Sequence, residues 1–123
     1  MNNKERPTIP DLINDGTNEM ERFQNKTLRP IIKMQHDVLI VSFQNYLEKR
    51  KIDFSNSTTS KKSGYINSSF TKDIAYKNII IGMIIGHFSM EEYHMYNRNS
   101  SEIHKRIIKI IQKRIKDTLI VLI

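Results

Sequence analysis

The chain has 123 residues, 38% hydrophobic and 27% charged, with 20 Lys and Arg against 13 Asp and Glu for a formal net charge of +7. That length fills one hydrophobic core rather than two, and the composition is that of a globular protein, not a disordered or fibrous one. The absence of cysteine excludes a disulfide framework, a thiolate zinc site and a thiol nucleophile.

Residues 1–16 carry Pro7, Pro10 and an Asp15-Gly16 turn signal without sustained apolar periodicity, and read as a partly flexible arm. Residues 17–123 read as a single helical domain. Thr17 or Asn18 caps a short first helix anchored by Phe23, with Glu19 and Glu21 placed against its positive end. The stretch LRPIIKMQHDVLIVSFQNYL, residues 28–47, is the dominant helical pattern: at ~100° per residue Leu28, Ile31, Ile32, Leu39, Phe43 and Tyr46 share a face. Met34, Val38 and Val41 widen that face, so this helix expects neighbours on two sides. Pro30 belongs in the first turn of a new helix capped near Thr27, or else it kinks a continuous one; the first reading is preferred, giving a long central helix over residues 27–51.

DFSNSTT, residues 53–59, is rich in residues that bond their own backbone and reads as a loop. A second long segment runs from residue 60 to 85, with Ile66, Phe70, Ile74, Ile81 and Ile85 as its stripe. Its apolar half, NIIIGMIIGHF, also suits a strand, but no second strand candidate exists to pair with it. Gly82 and Gly86 offer a smooth patch for close helix approach, or Gly86 ends the helix. Ser89-Met90-Glu91-Glu92 has the form of a capping box for a short helix over 90–97, and Asn99 repeats the logic for a last helix over 102–123. That last helix is amphipathic: Ile103, Ile107, Ile110, Ile111, Ile115 and Leu122 lie on one half, and Lys105, Arg106, Lys109, Lys113 and Lys116 on the other. The expected fold is all-α, a small helical bundle with a long central helix and an amphipathic C-terminal helix.

Candidate chemistry is sparse. Glu91 and His94 form a Glu-x-x-His unit, and His87 lies nearby, so this corner is the candidate metal site; structural pairing on a short helix is the blander reading. Gln35 and Ser42, seven residues apart within the apolar stripe, either line a small pocket or fix a helix register. No nucleophile elbow, phosphate-cradling glycine loop, dinucleotide fingerprint or zinc-protease motif is present, so no motif argues for an enzyme and no cofactor is expected. The basic half of the last helix, Lys105, Lys109, Lys113 and Lys116, is the candidate nucleic-acid contact, or a membrane-surface contact with the isoleucines inward. Lysine-rich faces are also commonly just solvated, and Lys, Ile and Asn are abundant throughout the chain.

ERFQNKTLRPIIKMQHD, residues 21–37, and IIGHFSMEEYHMY, residues 84–96, resemble segments of a group of small bacterial helical proteins that sometimes carry a glyoxalase label. The resemblance extends over most of residues 19–119. It implies a size and a helical pattern, and through the label an enzyme alternative: a metal-assisted, glyoxalase-like lyase acting on a small aldehyde adduct. The leading expectation is a non-catalytic interaction or regulatory module that self-associates as a homodimer, because its helices carry more apolar surface than one small bundle covers. Weak nucleic-acid binding is the third reading. No apolar leader opens the chain, and residues 78–90 fall short of the ~20 needed to span a bilayer, so a cytoplasmic protein is expected.

Overall fold

The computed structural model describes residues 18–120, and every regular element among them is helical, making the molecule an all-α bundle. The N-terminal arm, Leu122 and the last apolar residues lie outside the described residues. No helix among the described residues is long and apolar enough to cross a membrane.

The first half is a bent rod. Helix α1, Glu19–Phe23, starts at Asn18, whose side-chain oxygen accepts the Glu21 N–H at 2.8 Å. The expected break near Thr27 does not occur. Instead the chain widens into a π turn over Gln24–Leu28, closed by Arg29 N–H to the Gln24 carbonyl, and continues as α2, Arg29–Met34. Two features account for this. Pro30 has no N–H for the Lys26 carbonyl, and its ring crowds the preceding turn, so the regular ladder must adjust there. Phe23 and Leu28 are both buried, yet five residues of α-helix would set them ~140° apart. A turn that takes in one extra residue brings Leu28 back beneath Phe23.

The rod turns again at Gln35, with φ −93° and ψ 11°, before α3, His36–Lys49. The long central helix expected over residues 27–51 is therefore two α-helices behind a π turn. Its C-terminus is a Schellman motif: Ile52 N–H reaches the Leu47 carbonyl and Lys51 N–H the Glu48 carbonyl, each at 3.0 Å. Lys51 occupies the left-handed position at φ 56°, a place that favours glycine.

The second long segment also divides. Helix α4, Thr59–Thr71, is capped by Thr58, and α5, Ile74–Ile85, by Asp73. The break changes the stripe: Ile74 is exposed, Ile85 is half-buried, and Ile80 and Ile84 take the core positions beside Ile66, Phe70 and Ile81. Gly86 ends α5 in right-handed conformation. Helix α6, Met90–Arg98, has the expected capping box, with Ser89 and Glu92 bonding reciprocally. Asn99 takes the N-cap position of the next helix but makes no side-chain cap bond there; its amide donates to the Met95 carbonyl at 3.0 Å and closes α6. Helix α7 runs Ser100–Leu119.

α7 packs on α4, α5, α6 and the π turn. Ile103, Ile107, Ile111 and Ile115 are at most 1% exposed, with Ile108 rather than Ile110 completing the buried stripe. Phe43 of α3 meets Phe70 of α4 at 6.1 Å and Phe54 of the loop at 6.1 Å, joining the rod to the second half. The core thus lies between α7 and the rod. The added width of the apolar face of α3 stays open among the described residues: Val38 and Val41 are 43% and 55% exposed.

Candidate functional site

Asp73 organises the seam between α3 and α5. As the cap of α5 it accepts the Tyr76 N–H at 3.1 Å; its other oxygen accepts the Tyr46 hydroxyl at 3.0 Å and pairs with the Arg50 guanidinium. The Tyr76 N–H above all, then the Tyr46 hydroxyl and the Arg50 charge, hold its carboxyl below the usual range. Burial, then the bond to Asp73, pushes the Tyr46 hydroxyl up, and burial does the same for Tyr76. The two tyrosine rings stack at 4.2 Å, and the Tyr76 hydroxyl lies 3.3 Å from Ser42 Oγ. Contacts that step back along α3, from Arg50 to Tyr46 to Ser42, step forward along α5, from Asp73 to Tyr76. The two helices therefore run antiparallel, side by side.

That pairing creates a continuous outer face. Relative to Ser42, Leu39 and Phe43 turn toward the core while Val38, Val41 and Asn45 turn away from it, at ~100° per residue. Relative to Tyr76, Ile80 and Ile84 turn inward while Ala75, Asn78, Ile79 and Gly82 turn outward and are exposed. Because the helices are antiparallel with one core behind them, both outward sets fall on the same side. Ile79 is 67% exposed, and a Cβ added at Gly82 would meet nothing within 4 Å. The outward side of α5 carries no charge.

Polar side chains elsewhere tie helices together. The Thr27 hydroxyl donates to Glu92 at 2.9 Å, joining the π turn to the capping box of α6. Arg106 reaches Gln24 at 2.9 Å, and Arg114 reaches His36 Nδ1 at 3.2 Å. Since arginine only donates, Nδ1 is the acceptor and the ring proton sits on Nε2. His104 Nε2 lies 2.7 Å from the Tyr96 hydroxyl; burial, and then the charge of Lys77, lowers the His104 pKa.

Of the residues singled out by the sequence, Ser42 joins the Tyr76 seam. Gln35 is 6% exposed at the α2–α3 turn, and neither residue lines the shallow cleft formed by Tyr46, Arg50, Ser68, Lys72 and Asp73. His87 is half-buried while Glu91 and His94 are exposed, and among the described residues no three His, Asp or Glu side chains gather to hold a metal ion. Lys105, Lys109 and Lys113 are exposed and Lys116 half-buried on the outer side of α7. Sequence reasoning missed Asp73 and the Tyr46–Tyr76 stack. Asp73 had a signal, an N-cap residue type directly before an apolar run, whereas the stack depends on a packing that local pattern does not encode. Compared with known protein families, curated proteins and solved structures, the chain matches none of them.

Proposed function

We propose that this protein is a non-catalytic helical interaction module that works as a homodimer, joined through the outer face of α3 and α5. The observation that carries this reading is the character of α5: apolar on nearly every side, yet covered on one side only, with Ile79 and Ile74 67% and 61% exposed. A helix apolar on all sides is normally buried on all sides. A second copy is the partner that fits. Across a two-fold axis this face would meet its own copy, where the exposed Asn78 offers both an amide donor and an acceptor and Gly82 leaves room for close backbone approach. The lysines of α7 do not oppose the pairing, since that helix packs against the inner side of α5; on the α3 side the exposed Lys49 stands next to the exposed Glu48. The polar groups that most resemble chemical equipment, Asp73, Glu92 and His104, serve as caps and latches between helices.

Sedimentation velocity at micromolar concentrations tests the reading. The expected result is a dimer, converted by Ile79→Lys to a monomer of unchanged helicity whose melting temperature, unlike that of wild type, does not rise with protein concentration. A wild-type monomer across the concentration range, or a dimer indifferent to Ile79→Lys, would rule it out.

A further inference from the structure

The outer side of α7 has a property that its packing does not require. Six cations and two acids give this helix a net charge of +4 out of the +7 of the whole chain. The arginines and lysines play different parts. Arg106 and Arg114 turn down to Gln24 and His36 and bind α7 to the rod. Lys105, Lys109, Lys113 and Lys116 stand on the outer crest, within ~80° of one another around the helix axis. Lys113 pairs with Asp117 at 3.1 Å, both side chains being well exposed, an ion pair that gives way readily. Lys105, Lys109 and Lys113 follow one another at four-residue intervals, so like charges repel along the helix and weaken it. The crest spans ~16 Å, with successive lysines ~6 Å apart along the axis.

We propose that this crest is a docking ridge for the phosphate backbone of nucleic acid, gripped without sequence preference. Lysine suits such a grip, because its compact charge on a flexible stem follows phosphates without demanding one geometry. An anionic membrane fits less well. Inserting a basic amphipathic helix needs its apolar half in the bilayer, but Ile103, Ile107, Ile111 and Ile115 are sealed in the protein core. The ridge lies away from the α3–α5 face, so this inference stands independently of self-association.

Anisotropy titrations of the full chain with labelled single-stranded and duplex oligonucleotides, and in parallel with phosphatidylglycerol vesicles, test the ridge. Four phosphate contacts predict that log Kobs falls with log salt at a slope of about −3.6 on the duplex and about −2.8 on the single strand. Lys105→Glu with Lys109→Glu is expected to reduce affinity by more than about tenfold at low salt and to make the slope shallower by about half. The melting temperature should change little, because both side chains are exposed and, although positions 105 and 109 still carry like charges, position 109 now attracts Lys113; Ile79→Lys should leave oligonucleotide binding unchanged. No binding at low salt, binding insensitive to the double variant, or binding to vesicles but to neither oligonucleotide would each overturn the proposal.

Discussion

Helices α5 and α7 solve opposite problems. α7 separates its two kinds of surface, so one packing arrangement buries the isoleucines and leaves the cations in water. α5 is apolar on nearly every side, and the same bundle covers only its inner half. The difference teaches that apolar content alone does not say how deeply a helix is buried. Neighbours must exist to cover each side, and the described residues supply them for α7 and for only half of α5.

The sharpest way to break this comparison is to truncate one isoleucine in each helix. Ile111→Ala removes a side chain that is 0% exposed, and by the usual cost of a core cavity should destabilise the fold by about 2–5 kcal/mol in urea unfolding. Ile79→Ala, at 67% exposure, should change monomer stability by no more than about 0.5 kcal/mol. Comparable losses at the two positions would refute the assignment of sides. A smaller effect is expected at the start of α5, where Asp73→Ala removes the helix cap and its bonds to Tyr46 and Arg50. Because the folded-state pKa of Asp73 is depressed, its stabilising contribution is fully present above pH ~4 and is lost as pH falls through the folded value. Melting temperatures across acidic pH should therefore converge for wild type and variant, and a constant gap down to pH ~2, below the usual carboxylate range, would contradict the role of the carboxylate. A last substitution lies outside both helices and acts as a control. Lys51→Gly relieves a left-handed residue and should stabilise the protein by about 1 kcal/mol, whereas a loss on denaturation would mean that the Lys51 side chain contributes more than its backbone costs.

Local chemistry was readable wherever one short segment contained the whole interaction. The Asn18 cap, the Ser89–Glu92 box and the buried stripe of α7 are of this kind, each formed within a few turns of chain. Breaks were harder to read. Phe70 and Ile74 keep an apparent i,i+4 step across the end of α4, so Asp73 looked like an interior polar residue rather than the start of a new helix. The turn at Gln35 carries no proline or glycine to announce it. For the candidate site, periodicity marked Val38 and Val41 as apolar and Ser42 as an intrusion, but whether a neighbour covers them depends on where α5 lies, which no spacing within α3 reveals. The lysines of α7 were legible as a row, while the sorting of arginines inward and lysines outward came from partners far along the chain, Gln24 and His36.

The π turn between Phe23 and Leu28 carries a consequence for length. With one residue fewer in that interval, four steps of ordinary α-helix would again place both side chains on the core side. The phase there tolerates loss of a single residue, which need not scramble the core as it would in α3 or α7. What such a deletion would disturb is Thr27, whose hydroxyl holds Glu92 and with it the beginning of α6. The extra residue acts as a spacer that sets where the rod meets its neighbour.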